Sequence, residues 1–459
     1  VSTDSLDRLF DERRDAHTDE LIDWLRIPSV SSDPAAKADV RAAAEWLVAR
    51  FRQAGLTCEL IPTDGHPLVF AETPPVPGAP VALVYGHYDV QPVEPLDLWK
   101  SPPFEPELRD GNLYARGATD DKGQVLTHIA SVLSLIEAGE PLPLQVKFMI
   151  EGEEEVGSGN LEKRLPELAD KLACDVIVIS DSSQFAEGQP AITYGLRGIA
   201  TFELRVDGPR QDLHSGSFGG AVMNPGIALC QLIAQLIDAE GRIQIPGFYD
   251  AVTPLTEAER EQFAALPASD DAFAQSVGVD QLAGEKGYSS LERRWARPTF
   301  EVNGLTCGHQ GDGVKTIVPS TASAKLSFRL VPDQDPQQIA AQLDRYLQAH
   351  CPPGVRLHLT AGHGAPGMKA NRDSPYMAAA QRALAAAFGT DPVLIREGGS
   401  IPIVQKFQET LGADCLLLGW GLSDDNAHSP NEKFQLADFH RGIKASGHLW
   451  QQLGQLGSS

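Results

Sequence analysis

The sequence is short of positive charge. Its 459 residues carry 38 Lys and Arg against 62 Asp and Glu, a formal charge of −24. No stretch resembles a basic surface that could track phosphates, which argues against nucleic acid as a partner. Cysteine is also scarce: six are scattered at 58, 174, 230, 307, 351 and 415, with no CxxC pair. Cys174, Cys230 and Cys415 lie in apolar stretches and read as buried thiols of a reducing compartment. No apolar run approaches the ~20 residues of a membrane span. The opening "VSTDSLDRLFDERRD" is acidic and polar, unlike a signal peptide, so a cytoplasmic protein without a membrane partner is expected. Repeats and low-complexity segments are missing too. What remains, 42% apolar and 22% charged residues, is the composition of a soluble globular protein. Its length calls for two domains.

Apolar periodicity supplies the organisation. Over 37–55, Val40, Ala44, Leu47, Val48 and Phe51 share one face of a helix that Gly55 stops. Short apolar runs follow at 67–70, 81–90, 144–150 and 174–180, alternating with helical segments near 123–138 and 160–172. That is the β/α alternation of a largely parallel sheet covered by helices. Near 198 the pattern changes to alternating strands (198–208, 298–305, 322–332, 355–362) and helices (224–237, 336–350). Their β-α-β-β-α-β order is that of a split βαβ unit, interrupted by a Pro- and charge-rich stretch at about 240–297. From 392 the first pattern resumes, with helices around 402–411 and 432–453. The expected fold is therefore an α/β domain of residues 1–197 and 397–459, with an α+β, ferredoxin-like domain of residues 198–396 inserted into it.

Open α/β sheets bind ligands at the carboxyl ends of their strands, and here those ends are rich in acids and histidines. "VALVYGHYDV" delivers His87 and Asp89, and "CDVIVIS" runs into Asp181. "DCLLLGWG" leads through a loop to His428, while "ARGATDDKGQ" places Asp120 and Asp121 at a helix start. "LQVKFMI" ends in "EGEEEVGSGN", where Glu151, Glu153, Glu154 and Glu155 crowd together. An isolated acidic cluster is ordinarily a solvated loop, and a single HxD is more often structural. Five deliveries to one edge are hard to explain by packing. Imidazole with carboxylate is the ligand set of Zn²⁺ or a similar ion. Several carboxylates with two histidines suggest two ions ~3.5–4 Å apart sharing a bridging carboxylate and a water. One glutamate of the run would then bind metal, while its unligated neighbour takes the proton of that water.

At this point the chain resembles the co-catalytic zinc aminoacylase/carboxypeptidase/dipeptidase family, in its cytosolic non-specific dipeptidase (carnosinase-like) branch. "GHYDVQP", "ARGATDDKGQ", "EGEEEVGS", "SDSS", "DLHSGSFGG", "FRLVP", "REGGSIP" and "AHSPNE" occur in the family's order from 86 to 432. The resemblance implies a zinc-peptidase-like catalytic domain and an inserted lid and dimerisation domain. It implies His87 and Asp181 as ligands of one metal, Glu155 and His428 of the other, and Asp120 as the bridge, followed by a cis peptide into Asp121. Asp89 would orient His87, and Glu154 would be the base, although Glu153 stands where relatives often carry an apolar residue. From the lid, His214 would polarise the scissile carbonyl of a partner subunit's substrate in a homodimer. Arg329 would grip a substrate carboxylate, with Thr316, His363 and Ser400 as further substrate contacts. The activity so implied is a dipeptidase dependent on two divalent ions, zinc or alternatively manganese. It would cleave dipeptides or short peptides with a free C-terminal carboxylate, through a metal-bridging water activated by Glu154. An N-acyl-amino-acid amidohydrolase or deacylase is the alternative. A non-catalytic metal-binding scaffold is the remote one, disfavoured because storage needs no unligated base.

Overall fold

The computed structural model describes residues 3–399 and 401–457. Its principal strands, in chain order, are β1 (Thr57–Ile61), β2 (Leu68–Glu72), β3 (Val81–His87), β4 (Gln145–Glu151), β5 (Val176–Ile179), β6 (Ala191–Leu196), β7 (Gly198–Asp207), β8 (Thr299–Cys307), β9 (Thr321–Leu330), β10 (Arg356–Ala365) and β11 (Asp414–Leu418). The chain divides into two compact units, one of residues 1–194, 370–395 and 403–459, the other of 195–369 and 396–402.

The first unit is built on a sheet in the order β1-β2-β4-β3-β5-β11-β6. Its centre, β4-β3-β5-β11, is parallel, and antiparallel neighbours flank it. The parallel strands are buried on both faces, which is why they read as continuous apolar runs rather than alternations. The helix Lys37–Gln53 lays Val40, Ala44, Leu47, Val48 and Phe51 into the core, the face its periodicity predicts. The helix Lys122–Glu137 has no exposed face before its last turn, as a helix enclosed on all sides must. Two N-terminal helices, Thr3–Glu12 and Arg14–Leu25, carry no sequence motif yet bury Leu6, Phe10, Leu21 and Trp24.

The second unit holds an antiparallel sheet ordered β8-β9-β7-β10. With the helices Pro225–Ala234 and Pro336–His350 it forms the split β-α-β-β-α-β arrangement. Inward positions of β7 and β9 alternate strictly with outward ones and build this unit's own core from Phe202, Leu204, Val206, Leu326 and Phe328. The stretch 240–297 is not structureless: it contains the helices Glu257–Ala264 and Ser290–Ala296, both opened by capping boxes.

Three sequence expectations need correction. The inserted unit differs from 198–396: it starts at 195, gives up residues 370–395 to the first unit and includes 396–402. The helix Pro375–Phe388 buries Ala379, Ala380, Ala383 and Leu384 against the last helix, Leu436–Gly454; small side chains allow that close approach. That last helix starts at 436 rather than 432, since Lys433–Gln435 is a strand paired with Asn112–Tyr114. Cys230 is exposed. It lies on the outward face of its helix with Ile227, while Ala228, Leu229 and Leu232 point inward.

A buried histidine in the first unit makes stability sensitive to acid. His17 is 3% exposed, and its Nε2 lies 2.8 Å from Ser134 Oγ on the helix Lys122–Glu137. Burial, with Arg13 and Arg50 adding to it, pushes its pKa down to about 4. A histidine whose folded pKa lies below its unfolded value of ~6.5 contributes stability above that value and loses it as pH falls towards the folded one. The stability margin of the native chain over a His17→Gln variant should therefore shrink between about pH 6.5 and 4, by at most about 3 kcal/mol. Urea unfolding of both proteins at pH 7.5, 5.5 and 4.5 measures it; a margin independent of pH would refute the neutral His17.

Candidate metal centre

Strand register assembles the site within the first unit. β3 and β4 pair in parallel with His87 opposite Glu151, and the Tyr88 N–H donates to the Glu151 carbonyl at 2.8 Å. The end of one strand thus carries a histidine to where the glutamate run begins. β5 pairs on the other side of β3 and ends just before Asp181. β11 follows β5 in the sheet and leads to the loop of His428.

The side chains converge on Asp120. His87 Nε2 lies 3.2 Å from Asp120 Oδ1 and 3.9 Å from Asp181 Oδ2. His428 Nε2 lies 2.8 Å from the other oxygen of Asp120 and 3.3 Å from Glu155 Oε2. Two donor sets result, His87–Asp120–Asp181 and Asp120–Glu155–His428, each with its ligand atoms within 4.8 Å of one another. The Asp120–Asp121 peptide is cis, and Asp121 accepts the His87 N–H at 3.1 Å.

Asp89, fully buried, joins two parts of the site. One of its oxygens lies 3.4 Å from His87 Nδ1, and the pair accepts the N–H groups of Glu154 and Glu155 at 3.3 and 3.2 Å. One carboxylate therefore orients the imidazole and pins the short turn Glu154–Val156.

The crowded glutamates separate in space. Glu151 accepts from the Tyr85 hydroxyl at 2.7 Å, Glu153 from Asn160 Nδ2 at 2.7 Å, and Glu155 from Gln91 Nε2 at 2.7 Å. Glu154 belongs to neither donor set. Burial raises its pKa well above the usual carboxylate range; His87 opposes the shift, and the charges of Asp181, Glu155 and Asp120 add to it.

This donor chemistry fits divalent cations. His87 Nε2 and Glu155 Oε1 are buried atoms without a hydrogen-bond partner among the described residues, a costly condition that a metal–ligand bond relieves. Hydrogen bonds to Asp120 and Glu155 raise the His428 pKa to about 10. Burial works against protonation of His87, but Asp120 and Asp89 outweigh it and carry its pKa well above the ordinary value.

The remaining expected residues are in the second unit. His214 is exposed, and its Nδ1 accepts the Gly216 N–H at 3.0 Å. Next to it the Thr316 carbonyl accepts the Ser215 N–H at 3.0 Å. Arg329, half-buried on β9, lies opposite Ile199 of β7, and burial lowers its pKa. On the other side of β7, Ala200 pairs with Gly364, beside exposed His363. Ser400 lies outside the described residues. Sequence reasoning overlooked Arg116, Asp425 and Glu432, which are buried beside the donor sets. The last two stand within residues 424–432, "DDNAHSPNE", where an acid on each side of His428 is the available signal.

Residues 83–452 match the model of "Peptidase family M20/M25/M40". The human Beta-Ala-His dipeptidase is 33% identical over 96% of this chain and 92% of its own. The Cys-Gly metallodipeptidase dug1 of Schizosaccharomyces pombe is 32% identical over 97% of each. The crystal structure of human carnosine dipeptidase 1 superimposes with a TM-score of 0.84 at 31% identity, over 99% of both chains.

Proposed function

The chain belongs to the M20/M25/M40 peptidase family, and from that membership we propose that it is a metal-dependent dipeptidase acting on short peptides with a free C-terminal carboxylate. The observation that carries this reading is the pair of donor sets sharing Asp120, with Glu154 beside them and in neither. His87 and Asp181 would hold one divalent cation and Glu155 and His428 the other, with Asp120 between them; zinc is proposed, with manganese as its substitute. Cations held there supply positive charge that polarises a carbonyl and acidifies water. Glu154 takes the proton of the attacking water and returns it to the leaving amine, while Asp89 keeps His87 and the Glu154 turn in place. Arg329 forms a charge-assisted pair with the substrate carboxylate, and Thr316, His363 and Ser400 are proposed as further substrate contacts.

His214 is proposed to act in a partner subunit's site within a homodimer formed through the second unit. Because its Nδ1 accepts the Gly216 N–H, a neutral ring carries its proton on Nε2 and presents a donor to a carbonyl oxygen. All six cysteines are free, in keeping with a reducing compartment, and we place the protein in the cytoplasm. No helix among the described residues is long and apolar enough to cross a membrane.

Chelation should abolish hydrolysis, and added zinc or manganese should restore it. A panel of dipeptides against acetyl- and succinyl-amino acids should give turnover of the dipeptides; faster cleavage of the acylated compounds would make the protein an amidohydrolase instead. Hydrolysis that persists after complete metal removal would overturn the metal-dependent reading.

A further inference from the structure

In the loop bearing His428, Asn426, His428 and Asn431 adopt φ of 57°, 62° and 62°, a left-handed conformation that Asn and His enter more readily than other residues with a Cβ. A buried carboxylate on each side of His428 fastens this loop to the segment that leads into Asp120. Glu432, with no exposed surface, accepts four hydrogen bonds. Its Oε2 takes Arg116 Nη1 at 2.7 Å and the Gly117 N–H at 2.9 Å. Its Oε1 takes the N–H groups of Thr119 at 3.0 Å and Asp120 at 3.1 Å. Asp425, 2% exposed, accepts from Thr119 Oγ1 at 3.1 Å, from the Leu422 N–H at 2.7 Å and from Lys433 Nζ at 2.8 Å.

Resting on the metal reading above, we propose that Glu432, with Asp425, is a positioning residue that sets the cation affinity of the Asp120–Glu155–His428 site selectively. Glu432 binds the peptide N–H of Asp120 itself and lies four residues beyond His428 on the same loop. A single carboxylate thus fixes two ligands of that site relative to each other. The His87–Asp120–Asp181 site gains less from this clasp. Its histidine is held by strand pairing and by Asp89, and its Asp181 follows β5.

Glu432→Gln tests this. The amide keeps the size but turns one acceptor into a donor facing the donors of Gly117 or Arg116, or of Thr119 and Asp120. Metal-stripped protein is titrated with Co²⁺, and uptake is followed by calorimetry and by the visible spectrum. The native chain should take two ions. The variant should bind one of them about 10- to 100-fold more weakly, the scale expected when a ligand loses its outer support, and the other nearly unchanged. In a Glu155→Gln background, which damages the same site, the remaining ion should be insensitive to Glu432→Gln. Thr119→Val removes only the hydroxyl bond to Asp425 and should weaken the same ion by a smaller factor. It carries the test alone if Glu432→Gln does not fold. Native protein that takes up fewer than two ions overturns the metal reading and this inference with it. Two ions in the native chain, with both affinities reduced equally or neither changed in the folded variants, overturns the clasp alone.

Discussion

Glu154→Gln is expected to keep both cations and lose about 10²- to 10⁴-fold in turnover, the range for removal of a general base. The amide has nearly the same shape, and Glu154 stands in neither donor set, so the ligand shell is spared. The backbone N–H of Glu154 is fixed by Asp89, so the side-chain replacement does not release the turn. What is lost is the capacity to accept a proton. The loss should fall on kcat with KM little changed, and metal content by atomic emission should equal that of the native protein. The neighbour supplies the control. Glu153 is tied to Asn160 at 2.7 Å, so Glu153→Gln should retain near-native turnover. A larger effect there than at 154 would move the role by one residue and overturn the assignment.

How far the sequence could be read follows from what each feature depends on. His87, the glutamate run and Asp181 were legible because an apolar strand run has an evident end, and in a parallel sheet those ends meet at one edge. Asp120, at a helix start, and His428, in a loop, took their expected roles from the family resemblance. The outer regions were less so. The helix Pro375–Phe388 has an Ala-rich face that would suit either unit, and only tertiary packing assigns it to the first. Cys230 looked buried because its neighbours in sequence are apolar, yet a rotation of about 100° per residue places it outside while Leu229 is inside. The partners of the glutamate run depend on which loops meet. Nothing in "EGEEEVGSGN" announces that Glu151 will meet Tyr85 or that Glu153 will meet Asn160. For the same reason the four hydrogen bonds of Glu432 were invisible, although its place after His428 was not.

His214→Ala is expected to lower turnover about 10²- to 10³-fold, as loss of one donor to a developing oxyanion does, with metal content unchanged because His214 is in neither donor set. The mixing experiment decides whether it acts in its own subunit or in the partner's. In a two-fold symmetric dimer with free exchange, combining equal amounts of His214→Ala and Glu154→Gln chains makes about half the dimers mixed. If His214 serves the partner's site, each mixed dimer has one site with both residues intact and one with neither. About a quarter of all sites should then regain native activity, far above the trace level of either variant alone. If His214 serves its own subunit, every site in every dimer lacks one of the two residues, and mixing restores nothing. The outcomes differ by at least an order of magnitude, so a simple rate assay after proven subunit exchange separates them. A fully active monomer in sedimentation would also exclude action in trans. The exposed position of His214 and the Nε2 proton that its bond to Gly216 enforces suit a donor offered outward to another subunit's substrate, so recovery of activity on mixing is the expected result.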